Sequence, residues 1–238
     1  MSAEKERTIF RFSWVLLACL FLRPLLSSAQ TPELNFVVSV RELSIPAKAH
    51  HEFQQGVNLL EKKDQAASLL HFQRAISEYA NYYEAYYKMG VAELKLWRTA
   101  EAEQAFRQSI ELSHGQYAEP LLALCAVLGY RGKFIEAEEV SRRGLELDPT
   151  VWSGYYSRAW ALFNLDRLEE AEKSLREALR LKADSPEVYL LLADVHHRQH
   201  DYRAVLDDLN EYLKIEPDNL VNNGVRSLRD EAERSANL

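Results

Sequence analysis

The chain has 238 residues, of which 47% are hydrophobic and 27% are charged, and its formal net charge at pH 7 is −7. With only 8 glycines and 7 prolines, this composition favours a globular protein built from long regular elements. The negative charge balance argues against a nucleic-acid partner, because nucleic-acid binding requires a basic stripe.

The first 29 residues differ in character from the rest of the chain. Lys5, Arg7 and Arg11 precede the apolar run Phe12–Leu22, and the small residues Ser27–Ala29 follow it. This pattern predicts a secretory signal peptide over residues 1–29, and hence export to the periplasm or the extracellular space. The apolar run is short for a membrane span. We expect membrane contact only if this segment stays uncleaved.

Two alternatives remain open for this segment. It could serve as an uncleaved membrane anchor, or Cys19 could carry a lipid, because Leu16–Cys19 is similar to a bacterial lipoprotein box. Beyond it, residues 30–48 predict an extended approach segment in which Phe36–Val40 has strand-like composition and Pro46 suits the first turn of a helix.

An amphipathic helical pattern then recurs every 34 or 35 residues. Gly132–Pro149 illustrates it: Gly132 suits a tight turn, small residues at Ala137 and Gly144 allow close helix contact, and Asp148-Pro149 ends the helix. The other copies are Gln65–Ile76, Thr99–Leu112, Leu168–Leu181 and Tyr202–Pro217. Five copies at a fixed period indicate a repeat architecture, because one such helix cannot bury its apolar face alone.

The residues within each copy resemble the tetratricopeptide repeat (TPR) family. The second copy shows Tyr86, Met89 and Gly90 on its first helix, and Ala102 and Phe106 on its second helix. The resemblance implies an all-α, right-handed solenoid of five helix pairs with a C-terminal capping helix. Its predicted repeats cover 49–82, 83–117, 118–151, 152–185 and 186–219, and the capping helix and tail cover 220–238. We interpret the family member as an exported bacterial type.

Several residues depart from the family pattern, and two of them lead to an expectation about packing. Arg158 stands where leucine is expected, and Trp97 stands where glycine is common in the turn. Val205 and Tyr212 are larger than the alanines usual at their positions, which predicts looser or altered packing near the C-terminal end. Asp64 is expected to cap the second helix of the first repeat.

In this family the first helices line a concave groove that binds peptides or helices of other proteins. Transferring the family's groove positions to this chain gives a set rich in aromatic residues, which predicts exposed apolar area for a partner. The predicted groove residues are Phe53, Tyr87, Leu94, Leu122, Tyr130, Tyr156, Trp160, Phe163 and Asn164. The alternative is that the groove is filled by residues 30–46 or by the final helix. The lysine, asparagine and arginine clamp for acidic chaperone tails is absent.

Few residue patterns in the sequence point to catalysis or to metal binding. His196 and His200 have the i, i+4 spacing of a metal pair, but His196 falls at a packing position and His200 in a turn, so we predict no metal and no cofactor. Cys125 is expected to be a buried small hydrophobe. No phosphate loop or nucleophile motif occurs. The predicted function is therefore non-catalytic binding of a protein or peptide partner. The alternative is a self-associating scaffold subunit of an envelope complex, and the sequence leaves the oligomeric state open.

Overall fold

The computed structural model describes residues 44–217 and 222–236. The predicted signal peptide and the strand-like Phe36–Val40 lie outside these residues. The described residues are helical and contain no strand. Their helices are α1 (Ala47–Glu61), α2 (Gln65–Glu78), α3 (Tyr83–Lys95), α4 (Thr99–Leu112), α5 (Ala118–Tyr130), α6 (Phe134–Leu147), α7 (Trp152–Asn164), α8 (Leu168–Leu181), α9 (Pro186–Arg198), α10 (Tyr202–Ile215) and α11 (Asn222–Ala236). The predicted all-α class is confirmed.

The chain forms two compact units, with the boundary inside α5 between Val127 and Leu128. In the first unit, α1 packs on α2, α2 on α3 and α3 on α4. In the second unit, α6 packs on α7, α7 on α8, α8 on α9, α9 on α10 and α10 on α11. Each helix therefore buries its apolar side against its neighbours along the chain, as expected of stacked helix pairs.

The turn inside each helix pair holds one residue in the left-handed backbone region. These residues are Lys63, Trp97, Gly132, Asp166 and His200, with φ between 60° and 71°. Only Gly132 adopts this conformation without steric cost, and the other four are strained. Trp97 is also 66% exposed, so its large ring brings no packing that would offset the strain.

Caps and small residues account for much of the local structure. The Asp64 side chain accepts a hydrogen bond from the Ala67 N–H (3.0 Å), so the predicted cap is confirmed. Asp201 caps α10 in the same way through Ala204. Gly56 lies so close to the Phe72 ring that an added Cβ would stand 2.6 Å from it. Cys125 is buried, as expected.

Of the looser or altered packing expected at the C-terminal end, the looser packing is not found. Val205 and Tyr212 are fully buried, and they share a core with Leu209. Val225 and Ala232 of α11 complete this core. The final helix brings small and medium-sized side chains to the larger ones, so the volume is filled and no loose end results.

Candidate functional site

The predicted groove residues occupy the first helix of each pair. Phe53 lies on α1; Tyr87 and Leu94 lie on α3; Leu122 and Tyr130 lie on α5; and Tyr156, Trp160, Phe163 and Asn164 lie on α7. Only Phe53, Tyr130 and Asn164 are half-buried, and the remaining six are buried. The expectation that this set forms an exposed aromatic surface is therefore wrong for most of its members.

In the second unit, Tyr156, Trp160 and Phe163 belong to the core. They are 2%, 5% and 6% exposed, respectively. The Trp160 ring meets the Phe134 ring edge-on at 5.3 Å between centroids. It also fills the space that a side chain at Gly129 would need, since an added Cβ there would stand 2.6 Å from the indole. These rings stabilise the fold and are not available to a partner.

In the first unit, Tyr87 is buried for a similar reason. Its ring packs against Phe106 at 6.0 Å and edge-on against Tyr117 at 5.4 Å. The Lys88 ammonium lies 5.1 Å from the centre of the same ring. Burial raises the pKa of the Tyr87 hydroxyl and lowers the pKa of Lys88. Tyr87 is therefore part of a packed aromatic cluster.

The partly exposed apolar residues on this side of the first helices lie mainly in the first, second and fifth helix pairs. On α1 they are Phe53, Val57 and Leu60, which recur at i, i+4 and i+7 and are all half-buried. Val91 on α3 and Leu190 on α9 are half-buried as well. Each unit thus keeps partly exposed apolar side chains on the face where the family places its ligand.

The first-helix face of the second unit also holds an acidic side chain, Asp194 of α9. Its carboxylate is half-buried and has no hydrogen bond or ion pair with any described residue. Burial raises the pKa of Asp194 to about 7, against the opposing charge of Arg198. Asp194 is not among the predicted groove residues, so its charge gains significance only from the structure.

The Arg198 side chain is held by the preceding repeat. Its Nη1 lies 2.9 Å from the Asp166 carboxylate, and its guanidinium lies 4.6 Å from the centre of the Phe163 ring. These contacts draw Arg198 to the end of α7 and the turn that follows it. Asp194, four residues earlier, forms no direct ion pair with a described residue, although the charge of Arg198 still acts on its carboxylate.

The two histidines that have the spacing of a metal pair do not meet in one site. His196 is buried, and its Nδ1 lies 2.6 Å from Asp208 Oδ2, while its Nε2 lies 3.5 Å from Glu172 Oε1. His200 lies in the turn, where its Nδ1 is 3.3 Å from the Tyr202 hydroxyl. Within residues 44–217 and 222–236, no group of three or more His, Cys, Asp or Glu side chains is placed to hold a metal ion.

Arg158, at a position where leucine is expected, also has a carboxylate partner. Its Nη2 lies 3.0 Å from Glu138 Oε1 on α6, and Arg167 approaches the same carboxylate at 3.7 Å. The basic side chain of a first helix thus reaches the second helix of the preceding pair. Sequence inspection misses this contact, although a basic residue at a normally apolar position is the available signal.

None of the helices in the described part of the chain is sufficiently long and apolar to cross a membrane. The predicted apolar run Phe12–Leu22 lies outside that part, so the question of an anchor stays with the sequence prediction.

Comparison with known proteins identifies the repeat type. A family model described as TPR repeat matches residues 159–199, and one described as tetratricopeptide repeat matches residues 83–113. Sperm-associated antigen 1 of Mus musculus is 32% identical over 90 residues, which are 38% of this chain and 10% of that protein. The chain therefore matches only a small part of that curated relative.

Solved structures agree on the fold. MamA from Desulfovibrio magneticus RS-1, from residue 41 to its end, superimposes with a TM-score of 0.65 at 18% identity, over 73% of this chain and 97% of that one. YrrB, described as a TPR protein with an unusual peptide-binding site, gives a TM-score of 0.63 at 15% identity, over 79% and 95%. The helix pairs, the period and the two repeat matches lead to one conclusion: the chain contains tetratricopeptide repeats, at residues 83–113 and 159–199.

Proposed function

We propose that this chain is an exported, non-catalytic module that binds a peptide or helix of a partner protein on the first-helix face of one of its compact units. The observation that carries the proposal is the partial exposure of Phe53, Val57 and Leu60 on α1, together with Val91 on α3. Apolar side chains left at the surface in a row are typical of protein-binding sites. A peptide-binding site in the structurally similar YrrB supports the same kind of ligand.

The face differs from the one expected from sequence. Its aromatic rings are largely internal, so a partner would contact aliphatic side chains and the edges of half-buried rings. The contact would be of moderate hydrophobicity, and polar groups at its rim would add to its specificity.

A selection from a random peptide library on the full chain tests the proposal. Selected peptides are then measured against three single variants, Val57→Glu, Val91→Glu and Leu190→Glu, which place a charge on the proposed face. We expect at least one of these variants to lose binding, with the helical circular-dichroism spectrum unchanged. Leu70→Glu and Ile135→Glu are matched controls, because both side chains are exposed and lie on second helices.

Two outcomes would contradict this function. One is the absence of any selected peptide. The other is unchanged binding by all three variants of the face, which would place the peptide elsewhere on the surface.

Export is the part of the proposal that rests on residues 1–29. We expect the chain to be found outside the cytoplasm with a new N-terminus at Gln30, as shown by mass spectrometry of the purified protein. A cytoplasmic protein that retains residues 1–29 would overturn it. An exported chain that retains Phe12–Leu22 would instead support the membrane-anchor alternative.

A further inference from the structure

Asp194 is an unusual feature of the first-helix face of residues 128–236. It lies on α9, four residues after the half-buried Leu190 and four before Arg198, so the three side chains share one side of the helix. Its carboxylate is half-buried and has no ion pair or hydrogen bond with the described residues. A carboxylate that is partly removed from water and has no direct ion pair is unfavourable.

The natural counter-ion is held elsewhere. Arg198 stands at the i+4 spacing that normally forms a helix ion pair with an acidic residue. Its guanidinium instead contacts Asp166 at 2.9 Å and stacks on Phe163 at 4.6 Å. Asp166 and Asp194 therefore compete for one arginine, and Asp166 holds it.

This arrangement leaves one net negative charge beside apolar surface. A cation that arrives with apolar neighbours would pair with Asp194 in partly desolvated surroundings, where charge pairs are stronger than in water. A lysine or arginine within a peptide meets both requirements. A metal ion fits less well, because no cluster of further ligand side chains is present in the described residues.

We propose that the partner segment bound on this face carries a lysine or arginine that pairs with Asp194. The proposal rests on the function proposed above and specifies the chemistry of its ligand. The selected partner would combine a basic residue with apolar residues, and Asp194 would set that preference.

The test uses peptides selected from a random library on the full-length chain. We expect lysine or arginine to be enriched next to apolar residues. One selected peptide is synthesised with its lysine, or with norleucine in its place. Asp194→Asn should weaken the lysine peptide about tenfold or more and change the norleucine peptide less than about twofold.

Two further aspartate variants test the role of Arg198 and provide a control for the loss of one charge. Asp166→Asn should also weaken the lysine peptide, because it releases Arg198 to neutralise Asp194. Asparagine tolerates the left-handed backbone at this position, so the turn is kept. Asp207→Asn removes the same charge from an exposed site on α10 and should leave the affinity unchanged.

A pH series gives a second readout. Since burial raises the pKa of Asp194 to about 7, a proton competes with the peptide cation below that pH. The lysine peptide should bind more tightly at pH 8 than at pH 6, and Asp194→Asn should abolish this difference.

The possible failures are distinguishable. Selected peptides that lack lysine and arginine, or that bind Asp194→Asn as well as the wild type, would overturn the role of Asp194 and leave peptide binding intact. A selection that yields no peptide would remove the proposed function and this inference together.

Discussion

The first helices of the second and fifth repeats carry a polar residue at the same repeat position near their C-terminal ends. One of these residues has partners on neighbouring helices, and the other has an unpaired carboxylate oxygen. Glu93 on α3 and His196 on α9 are each the eleventh residue of their predicted repeats, which begin at 83 and 186. The other three repeats carry leucine there, namely Leu59, Leu128 and Leu162. Both polar side chains are buried, as Leu128 and Leu162 are.

Glu93 is buried with one carboxylate oxygen unpaired. Its Oε2 has no hydrogen-bond partner in the described residues. Burial raises the pKa of Glu93 to about 7, and the nearby negative charge of Glu101 adds to the effect, while Arg98 opposes it. The repeat therefore tolerates a carboxylate that its surroundings disfavour.

His196 is buried with partners on two other helices. Asp208 of α10 lies 2.6 Å away, and Glu172 of α8 lies 3.5 Å away, itself held by Arg176 at 2.9 Å. The hydrogen bond to Asp208 raises the pKa of His196, although burial alone would lower it. The comparison teaches that the repeat position sets burial, whereas residues on neighbouring helices decide whether a buried polar group is satisfied.

Removing the satisfied group should have the largest effect. We expect His196→Ala to destabilise the fold by about 3 kcal/mol at pH 6, because it leaves the half-buried carboxylates of Asp208 and Glu172 without the imidazolium. Urea unfolding monitored by circular dichroism measures the loss. His51→Ala, at an exposed position, is the control. Equal stability of the two variants would show that the His196 contacts contribute nothing.

Removing the unpaired carboxylate of Glu93 should raise the stability of the fold. Glu93→Leu introduces the residue found at this position in three other repeats, and we expect a gain of about 1–2 kcal/mol at pH 8. The same unfolding measurement applies, with the exposed Glu111→Leu as control. A loss of stability would mean that the carboxylate has a compensating partner.

The pH dependence separates the two sites, with a slope of at most about 1.4 kcal/mol per pH unit for each group. The folded-state pKa of Glu93, about 7, exceeds its ordinary 4.5, so stability falls as pH rises through this window. The raised pKa of His196 adds stability below its ordinary 6.5 that is lost at higher pH. Glu93→Leu should reduce the dependence of stability on pH between 4.5 and about 7, and His196→Ala should reduce it above 6.5. Unfolding measured across this pH range tests both expectations. Unchanged slopes in both variants would contradict these assignments.

The smallest effect is expected at a third polar replacement, Arg158. The ion pair with Glu138 is partly exposed to solvent, and Arg167 also approaches that carboxylate. Arg158→Leu, which restores the family residue, should therefore change stability by less than about 1 kcal/mol. Thermal unfolding of the variant and of the wild type measures the change. A larger loss would show that this ion pair stabilises the fold as strongly as the His196 contacts and more strongly than a surface ion pair.

Local features were predictable because they depend on neighbours close in the chain. The cap at Asp64 follows from an acidic side chain just before a helix, and the turn at Gly132 follows from its missing Cβ. The small residue at Gly56 and the aromatic Phe72 likewise fit the repeat pattern and meet in the structure.

The candidate site was only partly predictable. Trp160 stands at a family groove position, but its ring fills the space beside Gly129 and Phe134, which the position within the repeat does not encode. The ion pair between Asp166 and Arg198 likewise joins residues that are 32 positions apart in the sequence.

The sequence by itself determined the helical period, the order of the helix pairs and the family, because a fixed spacing of small and apolar residues leaves few ways to bury them. The tertiary structure decided which of those residues stay accessible and which buried charges find a partner. Accessibility and pairing depend on side-chain volume and position across neighbouring helices. Repeat position alone therefore predicts the fold more reliably than it predicts the binding surface.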